Sequence, residues 1–273
     1  MIVDKINSYL YQKDLHIDDY LRYEVEKLAG WAFKRQFMET AERSKTIRIS
    51  SLGKCQRAQA YQYHGFEVKG KEIDGRGRIT FFTGDLTELL ITQLAKLSGV
   101  AIIATGFGQM TLNISINGDV ITGHPDGIVF CEDKKLRLYE CKSFSDYAFK
   151  SFERKEIDES YLVQINCYMK ELGLSECVLV GLNKNNGVLA EQVLEFDKKY
   201  TDIANDNYKK IASSTPDDLP EQPYSVDEKG YYPWQCLYCG YFGWCRPNAE
   251  RVLVGKAYKL KEKNEHRPNS AKN

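Results

Sequence analysis

The chain has 273 residues, 42% of them hydrophobic, and its 38 Lys and Arg balance 38 Asp and Glu. That composition fits a soluble globular protein with one sizeable core, and it excludes a chain that binds nucleic acid through net charge, although a local basic groove stays possible. No run approaches the roughly 20 apolar residues that span a bilayer, and Asp4, Lys5 and Lys13 break any signal-peptide pattern, so a cytoplasmic protein is expected.

The first fifty residues read as helical, with Tyr20, Leu21, Tyr23, Val25, Leu28, Trp31 and Phe33 as a packing stripe. Ser50 or Ser51 offers the N-cap of a further helix through Cys55, Arg57 and Tyr61, with Gly65 as its stop. Residues 71–77 read as a loop. A long buried helix follows from Arg78 to Leu97, and Gly84 and Glu88 share a face in it. A glycine within a helix costs about 1 kcal/mol relative to alanine, which points to close approach of another element at Gly84. Glu88 is a carboxylate on an otherwise apolar helix, either a metal ligand or a helix-edge acid facing water.

Residues 100–104 and 110–116 are β-rich and lead into Gly123-His124-Pro125-Asp126. Residues 127–131 and 136–141 then form a hairpin about the polar turn 132–135. Alternation puts Glu140 and Lys142 on one face beside Asp126, with Cys141 on the other. Two carboxylates and an ammonium so placed suit a hard divalent cation, and equally a solvated surface pair. His124, before Pro125 in a turn, is expected to orient a neighbour through a hydrogen bond. Two helices follow, the second from Glu159 to Leu172 with Gly173 closing it; Gln164 and Tyr168 lie four apart on it and share a face. Residues 177–182 and 188–194 pair about Asn185-Asn186-Gly187, and a helix covers 198–212. The Pro-containing stretch 214–233 is irregular, and the basic stretch from Lys256 is disordered.

Eight cysteines in a reducing compartment favour metal binding over disulfides. Cys131, Cys141, Cys167 and Cys177 lie singly in apolar segments and read as small buried hydrophobes. Cys236, Cys239 and Cys245 crowd among aromatic residues, and Cys55 can complete a four-thiolate set that accepts zinc or an iron–sulfur cluster.

The order Gly84-x3-Glu88, Gly-His-Pro-Asp126, Glu140-x-Lys142, Gln164-x3-Tyr168 resembles the PD-(D/E)XK nuclease superfamily in its RecB-like branch. Cys55-x-Arg57 with Cys236-x2-Cys239-x5-Cys245 resembles the iron–sulfur nucleases of that branch: the CRISPR-associated RecB-like exonucleases, their phage and viral relatives, and the AddB nuclease domain. Many relatives carry histidine at the position of Glu88, and others a carboxylate. The resemblance spans about residues 50 to 246 and implies an α/β restriction-endonuclease-like fold, a mixed central sheet flanked by helices, with an iron–sulfur lobe built from N- and C-terminal segments. It divides a single nuclease domain, 1–255, into a helical N-terminal segment over 1–70, a core over 78–213 and a cysteine cluster over 234–250, before a basic tail over 256–273.

The function so implied is metal-dependent hydrolysis of DNA, as an exonuclease on single strands or frayed ends. Glu88, Asp126, Glu140 and the Cys141 carbonyl would hold Mg²⁺ or Mn²⁺, with Lys142 beside them. Gln164, Tyr168 and Arg57 would contact DNA, Arg57 alternatively bracing the lobe. Cys55, Cys236, Cys239 and Cys245 would bind a 4Fe-4S cluster. Recombination, replication or CRISPR-adaptation-like proteins are the implied partners, in a bacterial, archaeal or phage-infected cytoplasm. The alternatives are a non-catalytic DNA-binding or assembly subunit of the same fold, and a four-cysteine zinc module for protein contacts.

Overall fold

The computed structural model describes residues 1–12, 17–39, 46–70, 75–255 and 257–263. In chain order the helices are α1 (Ile2–Leu10), α2 (Asp19–Phe37), α3 (Gln56–Tyr63), α4 (Gly75–Leu97), α5 (Asp146–Glu153), α6 (Glu159–Leu172), α7 (Lys198–Ala212), α8 (Trp234–Leu237) and α9 (Phe242–Cys245). The strands are β1 (Ala101–Ile103), β2 (Leu112–Ile116), β3 (Asp119–Gly123), β4 (Gly127–Phe130), β5 (Leu136–Phe144), β6 (Glu176–Asn183), β7 (Leu189–Glu195), β8 (Tyr231–Tyr232), β9 (Ala249–Val254) and β10 (Ala257–Glu262). By its contacts the chain divides into two compact units, Met1–Lys54 with Gly75–Lys209, and Cys55–Asp74 with Lys210–Asn273.

The first unit is built on a sheet of order β1-β4-β5-β6-β7. It is mixed, because β5 and β6 pair in parallel while β1/β4, β4/β5 and β6/β7 are antiparallel. Parallel pairing needs a long crossover, and α5 and α6 supply it. Residues 136–144 read as a largely apolar run because β5 is central and covered on both faces. Tyr139 and Cys141 enter an apolar cluster with Ile91 and Ala95 of α4 and with Val129, Val178 and Val180. Burying side chains of this size stabilises by about 1.5–3 kcal/mol each, so the cluster clamps α4 to the sheet. Helix α6 starts at Asp158, whose carboxylate accepts from Ser160 N at 2.9 Å, and ends at Gly173 in the left-handed region, φ 65°.

Four expectations need correction. Phe33, half-exposed, meets Phe82 of α4 edge-on at 5.8 Å, whereas Tyr20, Tyr23 and Trp31 are 50% or more exposed, so they are not the packing stripe of α2. Its inner face instead presents Glu24, buried against Lys96 Nζ at 3.0 Å and Gln93 Nε2 at 3.1 Å, and Arg35, paired with Asp85 of α4. Gly84 is not a point of close approach, since a Cβ there would meet nothing within 4 Å. In the expected loop 71–77, residues 75–77 open α4 and 71–74 lie outside the described residues. The basic tail is strand-forming over Ala257–Glu262, where Leu260 is buried at 0% exposure; residues 256 and 264–273 lie outside the described residues.

The β2–β3 hairpin adds a strand the sequence expectation lacks. Its turn, Asn117-Gly118, has φ 55° and 88°, the mirror-image turn that Asn-Gly favours.

In the second unit, residues 55–70 pack as a strap against 238–246. Tyr61 stacks on Tyr241 at 5.7 Å, Gly243 N donates to Lys69 O at 2.6 Å, and Trp244 Nε1 donates to Glu67 O at 2.8 Å. The three strands β8-β10-β9 lie over a small core of Tyr232, Leu237, Ala249 and Leu260. No helix among the described residues is long and apolar enough to cross a membrane.

Candidate active site

Register brings the first set of residues together. Gly127 pairs with Tyr139, so the preceding Asp126 falls opposite Glu140. Asp126 is 8% exposed and Glu140 0%, and Asp126 Oδ2 accepts from Cys141 N at 2.9 Å. Lys142, two residues along the same strand, returns to the same face; its Nζ lies 2.7 Å from Glu140 Oε2 and 3.7 Å from Asp126 Oδ2. The expected convergence of these three side chains therefore occurs, and it is buried rather than solvated.

Burial is costly for two carboxylates, and their protonation reflects it. Desolvation first, then the Asp126 charge, pushes Glu140 up to about 7, against the pull of Lys142. Desolvation likewise leads in raising Glu88 to about 8, with Asp126 and Glu140 adding to it and Lys142 opposing. Glu88 on α4 thus lies within electrostatic reach of the hairpin acids. Burial opposes the charge of Lys142, but Glu140 and Asp126 outweigh it and hold the ammonium protonated.

The donor set suits a divalent cation in kind, since carboxylates and a backbone carbonyl are hard oxygen ligands. As they stand, no three His, Cys, Asp or Glu side chains among the described residues are gathered closely enough to hold one. The Lys142 ammonium bridges Asp126 and Glu140 in this arrangement. Glu140 Oε1 is nevertheless buried without a hydrogen-bond partner, an acceptor that one ammonium does not satisfy. These acids therefore fit a further cation.

Tyr168 is 1% exposed and acts from inside the fold. Its hydroxyl accepts from His124 N at 3.2 Å and lies 3.3 Å from His124 O, so it pins the backbone that delivers Asp126. Gln164, 8% exposed, places Nε2 3.4 Å from that hydroxyl. The His124 ring faces outward toward Thr111 Oγ1 and Met110 O at 3.4 and 3.3 Å. Tyr161 is a residue the sequence reading misses: Lys142 Nζ stands 5.8 Å from its ring centroid. Its spacing of three before Gln164 on α6 is the signal that could have found it.

The cysteine set lies in the second unit. Cys236 is pushed up to about 12, by burial first and then by the thiols of Cys55, Cys239 and Cys245, so the four sulfurs share one neighbourhood. Backbone N–H groups already point at two of them. Tyr241 N donates to Cys239 Sγ at 3.3 Å, and the backbone of Ala58 and Arg57 bonds Cys55. Burial raises the Cys55 thiol on balance, and these donors oppose it by favouring thiolate, the form that binds metal. They fit a metal centre in chemistry, although the sulfurs are not drawn to ligand distances about one point. Arg57 donates to Pro220 O at 2.7 Å and also bonds Cys245, which commits its guanidinium within this unit.

No protein-family model matches the chain, and no curated protein matches it in sequence. Among solved structures, that of SSO0001 superposes with TM-score 0.50 and 16% identity, over 81% of this chain and 95% of that one. Two structures of LHK-Exo, an alkaline exonuclease from Laribacter hongkongensis, one of them in complex with dAMP, give TM-scores of 0.44 and 0.45 at 15% and 13% identity. They cover 63% and 67% of this chain and 90% and 93% of their own. At such identity the likeness to SSO0001 is one of fold, a mixed α/β architecture with a mixed central sheet flanked by helices.

Proposed function

We propose that the chain is a metal-dependent DNA nuclease that hydrolyses phosphodiester bonds, acting as an exonuclease on single strands or frayed ends. The observation that carries the reading is the buried set Asp126, Glu140 and Lys142, with Glu88 near it and one Glu140 oxygen unpartnered. Two buried acids with a third, partly buried one near them exceed the charge of one lysine, and a further cation would balance them.

Glu88, Asp126, Glu140 and the Cys141 carbonyl would hold Mg²⁺ or Mn²⁺. The chemistry such an ion supplies when bound is an acidified water and neutralised phosphate charge. Lys142 stays protonated beside Glu140, orients the attacking water and balances charge as it develops on the phosphate. The Cys141 N–H holds the Asp126 carboxylate in place. Tyr168 fixes the His124 backbone with Gln164 behind its hydroxyl, and Tyr161 stands beside Lys142 from α6.

Cys55, Cys236, Cys239 and Cys245 would bind a 4Fe-4S cluster that holds the second unit together, with zinc as the alternative occupant. The shared neighbourhood of the sulfurs and their N–H donors support this. DNA is the substrate, and the partners would be proteins of recombination, replication or CRISPR-adaptation-like pathways.

The test uses oligonucleotides labelled at either end, incubated with Mg²⁺, Mn²⁺ or EDTA. Metal-dependent shortening from one end is the expected result. DNA binding without cleavage in either metal would replace the reading by a non-catalytic subunit of the same fold.

A further inference from the structure

Helix α2 has two faces of different chemistry. The inner one is committed to α4: Glu24 meets Gln93 and Lys96, Arg35 and Gln36 meet Asp85, and Phe33 and Phe37 meet Phe82 edge-on. Residue numbers rise along α2 as they fall along α4, so the helices run antiparallel. Glu88 lies between Asp85 and Gln93 and is therefore level with the middle of α2.

The outer face carries Tyr20, Tyr23, Lys27, Trp31 and Lys34, spaced by three and four residues and so aligned in one row. All five are exposed. The row is about 21 Å long, at a rise of about 1.5 Å per residue. No acid lies in it. Asp19, at its edge, is in an ion pair with Arg22 at 2.9 Å, and Glu26 lies about a quarter-turn round the helix from Lys27.

Cations sit over the rings of this row. Lys27 Nζ lies 5.4 Å from the Tyr23 ring centroid, and the Arg35 guanidinium 4.5 Å from that of Trp31. Asp85 holds Arg35 in turn, so the Trp31 ring is braced from α4 while half of its surface meets solvent. Lys34 meets Glu39 at 3.7 Å, a loose pair of exposed groups that neutralises little. Rings alternating with ammonium groups match a chain whose repeat offers a flat π-face and a negative charge. A single nucleic-acid strand is such a chain. A duplex is not, because its bases already stack on one another, and an acidic peptide brings the charge without the rings.

We propose that this face of α2 is a stacking platform for single-stranded DNA, with bases on Tyr20, Tyr23 and Trp31 and phosphates at Lys27 and Lys34. The inference rests on the nuclease reading and adds to it a strand-binding surface outside its motifs. The platform lies across α2 from the helix that bears Glu88, so it holds strand away from the phosphate being cut.

The test compares wild type with Trp31→Ala, Trp31→Phe and Lys27→Gln, with folding checked by circular dichroism. Binding of a labelled single strand and of a blunt duplex is followed by anisotropy in EDTA across a salt series, with tryptophan emission recorded alongside. Trp31→Ala should weaken single-strand binding about tenfold, and Trp31→Phe, which keeps a ring, should restore most of it. Lys27→Gln should reduce the slope of log K against log salt by about 0.7, whereas Trp31→Ala should leave that slope unchanged. The quench of emission on strand binding should shrink in Trp31→Phe, and duplex affinity should be the same in Trp31→Ala as in wild type. In Mn²⁺ cleavage Trp31→Ala should raise KM with kcat within about twofold. Unchanged single-strand affinity in Trp31→Ala would overturn the proposal, as would an equal loss for duplex. Self-association of wild type that Trp31→Ala abolishes, with DNA affinity intact, would give the face to a second copy of the chain instead. Wild type that binds single strands through Trp31 but cleaves nothing would sink the nuclease reading alone. Wild type that does not bind them would sink both.

Discussion

Glu140 sits where two electrostatic demands meet, complete burial that favours the neutral acid and a lysine at 2.7 Å that favours the charged one. Glu140→Gln and Lys142→Ala should each lower cleavage at least about a hundredfold, because a group that orients water or carries charge in the transition state is lost. DNA affinity should change little, since phosphate contacts elsewhere dominate it. Single-turnover cleavage beside anisotropy separates the two, and near-wild-type cleavage in either variant would remove the site. The acids also predict how stability depends on pH. Glu140 near 7 and Glu88 near 8 are both raised above their ordinary 4.5, so the folded chain keeps protons that the unfolded chain releases. Their stabilisation is full below about pH 4.5 and is lost as pH rises through 7 to 8. In EDTA the urea midpoint should therefore fall between pH 5 and pH 8.5, and saturating Mg²⁺ should flatten that fall. A midpoint that rises with pH in EDTA would show that these carboxyls are ionised in the folded state.

The corner between β3 and β4 depends on α6. Gly123 accepts the Tyr168 ring so closely that a Cβ would lie 2.7 Å from its Cε1 and 2.9 Å from Ile49 Cβ. That contact lets the Tyr168 hydroxyl reach the His124 backbone and so sets where Asp126 emerges. Gly123→Ala should cost about 1–3 kcal/mol by overpacking and should lower cleavage as well, because the corner must shift. Tyr168→Phe keeps the ring and removes the hydroxyl. It should cost about 1 kcal/mol and reduce cleavage with little change in KM, if Tyr168 acts through the loop. Urea denaturation and steady-state kinetics on the two variants check both statements; a change confined to KM in Tyr168→Phe would assign the phenol to DNA instead.

The cysteine set draws on both segments of the second unit, from Cys55 just before α3 to Cys245 at the end of α9. If one metal centre joins the four sulfurs, it closes a loop of about 180 residues, and its loss releases much chain entropy. Cys55→Ala and Cys239→Ala should therefore lose iron and visible absorption together and lower the melting temperature by similar amounts. Cys131, 8% exposed in the apolar cluster of the first unit, should when changed to Ala keep the spectrum and lose only the modest stability of a trimmed core side chain. A Cys55→Ala protein with full iron content would mean that the centre has other ligands.

Local pattern was enough for the hairpin, for α6 with its glycine stop, for β6 and β7 about Asn185-Asn186-Gly187, and for the alternation that sets Glu140 and Lys142 on one face. Each depends on neighbours along the chain, and period and turn chemistry report those directly. The β2–β3 hairpin was equally legible in Asn117-Gly118. Other features depend on partners far away in sequence. Tyr20, Tyr23 and Trp31 of α2 are exposed while Glu24 and Arg35 find their partners on α4, where Phe82 also takes the edges of Phe33 and Phe37. Tyr168 looks like a ligand-facing residue until Gly123 and the His124 backbone close over it. Burial and charge balance are sums over everything that surrounds a group, so only the folded chain specifies them.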